Sequence, residues 1–285
     1  MPVALVTDST AYLSAAETAA HGIGVVPLHV VIGGQEYQEG VDVTPQEVAA
    51  ALREFTPVST SRPAPQAFTD VYAAAVAAGA TAIVSVHLSA ELSSTLGSAQ
   101  IAAEHADVPV TVVDSRVMGA AMAIAVTSGA LAAGQGADGD EVAALVRARC
   151  AAATCIFYVD TLEYLRRGGR IGAAGALVGA ALAIKPILAL REGHIVPVEK
   201  VRTATRAISR LEELAVRAVD DAPEGADVVV HHVDAPERAA KLATRLGERI
   251  GADGPVPIVE LGAVVGAHVG PGTLAIAVVP RVSIA

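Results

Sequence analysis

Short, continuously apolar runs alternate with helix-forming segments through the first half of the chain, and this alternation constrains the fold more than any other feature. The runs are rich in β-branched residues, as expected for strands that are covered on both faces. Strands that alternate with helices in this way form a parallel sheet with helices packed on it. The sequence therefore predicts parallel strands at residues 4–7, 24–31, 82–86, 110–113 and 155–159.

Two helix starts in this half carry clear local signals. Thr44 and Glu47 have the spacing of a capping box, with Pro45 at the first helical position. Pro65 opens another predicted helix, which ends at Gly79. These helices supply the layers that cover the predicted sheet.

After residue 160 the pattern becomes mixed, and it predicts a second unit of the α+β class. The elements expected there are a helical turn at 162–167, a small-residue helix at 171–183, a hairpin of strands 186–190 and 195–201, helices at 204–220 and 236–250, and strands at 227–233, 257–261 and 274–279. A length of 285 residues also suits two domains. We therefore predict a Rossmann-like α/β domain over 1–160 and an α+β domain over 161–285.

Composition and charge exclude several classes of protein. A formal net charge of −10 argues against nucleic acid as a partner, because binding to phosphate backbones depends on clustered Lys and Arg. No apolar run reaches the roughly 18 to 20 residues of a bilayer span, so stable membrane insertion is not expected. The first apolar run, at residues 3–6, is followed at once by polar residues and does not resemble a signal peptide. We expect a cytoplasmic protein.

The two cysteines are not expected to form a metal site or a disulfide. Cys150 and Cys155 are five residues apart, a spacing that matches no familiar metal motif. Reducing conditions in the cytoplasm disfavour a structural disulfide. Both are predicted to be buried, reduced thiols, and no metal is predicted.

Clusters of hydroxyl groups lie beside the predicted strands, where open α/β sheets place their ligands. Thr60 and Ser61 are held in extended geometry by the proline that follows. Ser93 and Ser94 precede a predicted helix, whose free N–H groups and dipole favour an anion. Capping alone needs only one hydroxyl, so the excess of hydroxyls favours a carboxylate or phosphate site. A turn at 60–63 explains the first pair equally well.

Three further features are open to more than one interpretation. The segment 7–10 serves equally as a helix N-cap or as part of a site. His268 lies among glycines in the segment 266–273, where the backbone can approach a ligand closely, although a buried structural histidine fits too. Three arginines in the segment 166–170 make a local basic spot that suits phosphate, an acidic partner or a solvated helix end.

Six short motifs, taken together, resemble the DegV family of bacterial fatty-acid-binding proteins that serve a fatty acid kinase. Each motif is weak alone, but their order and spacing cover essentially the whole chain. Ser94 departs from the pattern, since the family commonly has glycine there. The motifs are Val6-Thr7-Asp8-Ser9, Thr60-Ser61-x-Pro63, Leu92-Ser93-x-Thr95-x-x-Ser98-Ala99, Leu165-Arg166-Arg167-Gly168-Gly169-Arg170-Ile171, Ile184-Lys185-Pro186-Ile187-Leu188 and His268-x-Gly270-Pro271-Gly272.

The resemblance implies a carrier that is not itself an enzyme and needs no cofactor. It implies that Thr60 and Ser93 bind the carboxylate of one long-chain fatty acid with His268 near the head group, and we include the neighbours Ser61 and Ser94 in this predicted site. The acyl tail would occupy an aliphatic tunnel between or within the domains, which a core rich in Ala and Val and poor in aromatics would accommodate.

The resemblance also implies a protein partner. Residues Arg170 and Arg202 would lie on the surface that meets the fatty acid kinase. That kinase transfers phosphate from ATP to make an acyl phosphate for phospholipid synthesis, and the carrier itself binds no ATP.

Two other functions compete with the carrier. A hydrolase would use Ser93 as nucleophile, His268 as base and Asp8 or Asp114 as the orienting acid, but the Gly-x-Ser-x-Gly elbow is absent from the sequence. A nucleotide- or phosphate-binding regulatory module would suit the doubly wound first half. Neither a P-loop nor a Gly-x-Gly-x-x-Gly fingerprint follows the first strand.

Overall fold

The computed structural model describes residues 2–177 and 184–282. Short 3₁₀ helices lie at Ser9–Ala11 and Gly172–Leu177. In chain order the strands are β1 (Val3–Asp8), β2 (Gly24–Val26), β3 (His29–Ile32), β4 (Gln35–Gln38), β5 (Val58–Ser61), β6 (Ala82–His87), β7 (Val110–Asp114), β8 (Thr154–Tyr158), β9 (Lys185–Arg191), β10 (His194–Val201), β11 (Ala226–His232), β12 (Ile258–Glu260) and β13 (Leu274–Pro280). The helices are α1 (Ala15–His21), α2 (Pro45–Arg53), α3 (Pro65–Ala77), α4 (Thr95–Ala103), α5 (Ala120–Gly134), α6 (Gly139–Ala152), α7 (Glu163–Arg167), α8 (Ala204–Asp220), α9 (Pro236–Ile250) and α10 (Ala263–Val269).

The first sheet is parallel and covered on both faces, as predicted. Its strand order is β2-β1-β6-β7, and each neighbouring pair is parallel. Successive residues of β1 point to opposite faces: Val6 packs with Phe68 and Tyr72 of α3, whereas Leu5 packs with Val126 of α5 and Val146 of α6. This double burial explains why the strands are continuously apolar.

The second sheet is mixed and contains a strand that the sequence had placed in the first. Its order is β10-β9-β8-β13-β11-β12, and β8 is antiparallel to both β9 and β13. The prediction that residues 155–159 join the parallel sheet was therefore wrong. A short apolar run shows that a strand is buried but not which neighbours it pairs with. The division into two domains at residue 160 stays a prediction.

A third, small sheet was not predicted, because the single strand expected at 24–31 is two strands. Pro27 separates β2 from β3, and a proline cannot donate to a ladder. Strand β3 instead pairs antiparallel with β4 and β5. The break at Pro27 lets β3 leave the first sheet and pair with β5, which carries Thr60 and Ser61.

Other elements of the second half follow the prediction closely. Helices α8 and α9 have the predicted bounds and cover the outer face of the second sheet, where Leu211 and Leu242 are fully buried. Strands β9 and β10 form the predicted hairpin. The helix predicted at 171–183 is a 3₁₀ helix over Gly172–Leu177, and residues 178–183 lie outside the described part of the chain.

Two negative findings apply to residues 2–177 and 184–282. No helix there combines the length and the apolar character that crossing a bilayer requires. Nor does that part of the chain contain three His, Cys, Asp or Glu side chains grouped so as to hold a metal ion. Cys150 and Cys155 are free thiols, and burial raises the pKa of each to about 12.

Candidate functional site

A cavity of about 280 Å³ lies between the inner face of the second sheet and the elements of the first half. Small-molecule sites commonly have about 300–1,000 Å³, so this volume is just below that range. Its walls are mostly aliphatic. The apolar lining includes Leu28, Leu88, Met118, Leu165, Leu190, Ile195, Leu261, Val264, Val265, Ala275 and Ala277.

Polar groups are concentrated in a few segments of the cavity wall. The six predicted site residues found there are Thr60, Ser61, Ser93, Ser94, Arg170 and His268. They come from β5, from the segment before α4, from the corner after α7, and from α10. The fold thus brings together residues more than 200 positions apart in the chain. Their role toward a carboxylate stays a prediction.

Thr60 and His268 are joined directly. The distance from Thr60 Oγ1 to His268 Nε2 is 2.8 Å. Thr60 lies in extended backbone on β5, as expected before Pro63. His268 occupies the last turn of α10, and the glycine-rich segment leaves the helix at Gly270. A helical position fixes the imidazole more firmly than a loop would.

The His268 imidazole is neutral at physiological pH. Burial, reinforced by the positive charge of Arg170, lowers the pKa of His268 from 6.5 to about 4. Its Nδ1 atom is buried and makes no hydrogen bond within the described residues. Nδ1 faces Gly168, where an added Cβ would lie only 2.1 Å from it. The glycine therefore makes room for the ring.

We expect Gly168→Ala to displace the His268 ring and break its hydrogen bond to Thr60. Because a buried hydrogen bond and local packing are lost, the free energy of unfolding should fall by about 1–3 kcal/mol. Chemical denaturation and the ¹⁵N shifts of the imidazole measure the two effects. Gly134→Ala is the matched control, since no atom lies within 4 Å of an added Cβ there. An unperturbed imidazole in Gly168→Ala would contradict this geometry.

Ser93 and Ser94 lie immediately before α4, as predicted. Ser93 Oγ is 2.8 Å from Thr95 Oγ1 and accepts a hydrogen bond from the Thr95 N–H at 3.3 Å. Ser94 is the N-cap residue but makes no side-chain capping hydrogen bond. The start of this nine-residue helix therefore adds its positive dipole end to the polar part of the cavity.

Ser61 differs from its neighbours in the predicted site. Its hydroxyl donates to Glu36 Oε1 on β4 at 2.9 Å, although the residue lines the cavity. This bond lowers the pKa of Glu36, so the carboxylate is charged and keeps the hydroxyl engaged. The Ser61 hydroxyl therefore already donates its hydrogen bond to Glu36.

The two predicted partner-facing arginines lie in different environments. Arg170 is half-buried, donating from Nε to the Leu92 carbonyl at 3.0 Å and from Nη1 to the Gly168 carbonyl at 2.7 Å. It therefore links the corner after α7 to the segment that carries Ser93. Arg202 is exposed after β10 and does not line the cavity. Their contact with a kinase stays a prediction.

The geometry does not assemble the catalytic triad of the competing hydrolase. His268 contacts Thr60, and Ser93 contacts Thr95. Asp8 instead accepts from the Leu88 N–H at 3.0 Å and lies 3.1 Å from His87 Nδ1, with both side chains fully buried. Asp114 accepts from the Arg116 N–H of its own loop at 2.9 Å and from the Ala90 N–H of the loop after β6 at 3.2 Å.

One lining residue that the sequence did not indicate is His231. Its Nε2 accepts a hydrogen bond from the Ala120 N–H at 3.1 Å and its Nδ1 donates to the Val259 carbonyl at 2.9 Å. Burial lowers the pKa of His231 to about 4, so the ring is neutral. It ties the start of α5 to β12 and helps close the cavity. A histidine at the end of an apolar strand, here followed by His232, carries no signal of this role.

The sequence matches the model of a family described as "Uncharacterised protein, DegV family" over residues 2–281. The chain belongs to the DegV family. A DegV domain-containing protein of Streptomyces coelicolor is 49% identical over 279 residues, covering 98% of this chain and 99% of that protein. The resemblance inferred from the six motifs is confirmed.

Solved DegV structures share this fold. A DegV-family protein of Thermus thermophilus described by its fatty acid binding has a TM-score of 0.87 at 31% identity, covering 99% of this chain and all of the other. DegV of Bacillus subtilis, described as a fatty acid binding protein, has a TM-score of 0.87 at 30% identity with the same coverage. These likenesses confirm the predicted mixed α/β architecture.

Proposed function

We propose that this DegV protein binds one long-chain fatty acid, with the acyl tail in the cavity and the carboxylate at its polar part. The observation that carries the proposal is the composition of the cavity wall, which is mostly aliphatic but includes Thr60, Ser93, His268 and Arg170. The fatty acid binding described for the Thermus thermophilus and Bacillus subtilis relatives supports it.

The tail would supply most of the affinity. Burying a methylene contributes about 0.8 kcal/mol, so roughly 14 methylenes give about 11 kcal/mol before the costs of ordering. An acyl chain in the cavity would also make dispersion contacts with the apolar lining. The head-group residues then need mainly to orient the carboxylate.

The hydroxyl groups can donate to a carboxylate in one consistent arrangement. If the neutral His268 ring carries its proton on Nε2, it donates to Thr60 Oγ1 and leaves the Thr60 O–H free for the ligand. If Thr95 Oγ1 donates to Ser93 Oγ, the Ser93 O–H is free in the same way. The site would then offer two O–H donors to one head group.

Positive potential would compensate the ligand's charge. Arg170 lines the cavity, and the start of α4, where the Ser94 side chain makes no capping bond, adds its dipole. The exposed Arg62 also lines the cavity and makes no ion pair within the described residues. A carboxylate therefore suits this region better than an alcohol or amine of the same length.

The wider role that we propose is that of a cytoplasmic substrate carrier for a fatty acid kinase. The protein would present the carboxylate for ATP-dependent formation of an acyl phosphate and would need no cofactor. Arg170 and Arg202 would meet the kinase, Arg170 from the edge of the head-group site and Arg202 from the exposed surface after β10.

We expect Ser93→Ala and Thr60→Val each to weaken fatty-acid binding by roughly tenfold to a hundredfold. Each loses a hydrogen bond to a charged group, worth about 1.5–3 kcal/mol. Titration with a fluorescent long-chain fatty acid measures the dissociation constant. Ser59→Ala is the matched control, because Ser59 is exposed on the same strand and does not line the cavity.

A thermal-shift comparison separates this proposal from a nucleotide-binding module. A ligand that binds only the folded state raises the melting temperature. Oleate should stabilise the protein and ATP should not. Stabilisation by ATP alone would overturn the proposal.

A further inference from the structure

Glu39 is a buried carboxyl group beside the start of α10, the helix that carries His268. It follows β4 and is only 4% exposed. Its Oε2 accepts from the Ser9 hydroxyl at 2.6 Å, and its Oε1 accepts from the Val264 N–H in the first turn of α10 at 2.8 Å. One side chain thus fastens the helix that carries His268.

These contacts continue into the cavity wall. Ser9 Oγ also accepts from the Leu28 N–H at 3.0 Å, and Leu28 and Val264 both line the cavity. An added Cβ at Gly262 would lie 2.3 Å from Glu39 Oε1, so the start of α10 is shaped around the carboxyl group. Glu39 therefore links two parts of the cavity wall, the one at Leu28 and the one at Val264.

We propose that Glu39 is a positioning residue for fatty-acid binding, and that its ionised form holds α10, and with it His268, in the binding geometry. The inference rests on the proposed function. A carboxylate accepts the Val264 N–H more strongly than a neutral carboxyl group, and it also interacts favourably with the positive start of the helix. Protonation weakens both interactions.

The surroundings place this titration near neutral pH. Burial raises the pKa of Glu39 from 4.5 to about 7, opposed by the hydrogen bonds from Ser9 and Val264 and reinforced by the charge of Asp8. A second cavity of about 460 Å³ borders Glu39. Its lining includes the exposed Val41, so the cavity connects Glu39 with solvent, from which protons can reach the carboxyl group.

The ionisable groups around Glu39 come from three elements. Asp8 lies at the end of β1, Tyr12 follows the first 3₁₀ helix, and Glu260 lies on β12 across the second cavity. None of the described residues that line this cavity is basic. Burial raises the pKa of Tyr12 well above 10, so the phenol stays neutral. With pKa values of about 4, His268 and His231 also stay neutral from pH 6 to 8.

The test is the dissociation constant of a fluorescent long-chain fatty acid between pH 6 and pH 8. Because the ionised fraction of Glu39 rises with pH, wild-type affinity should rise about tenfold across this range. Glu39→Gln should bind about tenfold more weakly at pH 8 and lose the pH dependence. Protonation of the fatty acid itself affects wild type and Glu39→Gln equally, so the difference between the two profiles reports on Glu39. Glu54→Gln, at an exposed position, should behave as wild type.

A second variant keeps the test decisive even if Glu39→Gln does not fold. Ser9→Ala removes a hydrogen bond that lowers the Glu39 pKa, so the midpoint of the wild-type profile should move to higher pH. An unmoved midpoint in Ser9→Ala, or a Glu39→Gln protein with the wild-type profile, overturns the inference about Glu39 but leaves the proposed function standing. A wild-type protein that binds no fatty acid at any pH overturns the proposed function as well.

Discussion

Ala275→Phe is expected to prevent the protein from holding a long-chain fatty acid while leaving the fold intact. Ala275 lies on the inner face of the second sheet, opposite Phe157 on β8 and His231 on β11, and lines the cavity. It is only partly buried, so a larger side chain there would project into the cavity. If the ring displaces roughly five methylenes, the loss is about 4 kcal/mol, or about a thousandfold in the dissociation constant.

Titration with the fluorescent fatty acid and circular dichroism measure the two halves of this prediction. Ala240→Phe is the matched control, because Ala240 is exposed on α9 and away from the cavity. It should bind as wild type does. Wild-type affinity in a folded Ala275→Phe protein would mean that the tail lies elsewhere.

Asp8→Ala is expected to destabilise the protein strongly. Asp8 is fully buried, and its carboxyl group accepts hydrogen bonds from the N–H and hydroxyl of Thr10 and from the Leu88 N–H. It also contacts His87, and a chain of hydrogen bonds runs from His87 through Ser85 to Tyr72. Removing one partner from such a network leaves several buried polar groups unsatisfied and costs about 3–5 kcal/mol.

Urea denaturation measures the change in the free energy of unfolding. The free energy of unfolding of a natural protein is about 5–15 kcal/mol, so the loss should be a large part of the total. Asp8→Asn should fall between wild type and Asp8→Ala, because one acceptor oxygen remains. Asp107→Ala, at an exposed position, should change stability by less than about 0.5 kcal/mol. Equal stability of Asp8→Ala and Asp107→Ala would contradict the role of the network.

Much of the fold could be predicted because local signals agree with the tertiary structure. The capping box at Thr44 and Glu47 forms as expected, and α8 and α9 have the predicted bounds. Strand pairing was harder to predict. The apolar sequence of β8 would suit either sheet. Only its pairing with β9 and β13 decides which sheet it joins.

The candidate site was predictable in part for the same reason. Motifs located Thr60, Ser93 and His268, and the structure places all three in the lining of one cavity. The sequence could not reveal that Gly168 makes room for the imidazole or that Glu39 fastens α10, because these contacts join segments far apart in the chain. Glu39 in particular looks like any surface glutamate after a polar strand.

The most direct test of the central claim is mass spectrometry of the organic extract from purified wild-type protein. The account predicts one long-chain fatty acid for each protein chain, and much less in the Ala275→Phe extract. A wild-type extract without fatty acid, from protein that also fails to bind added oleate, would contradict it.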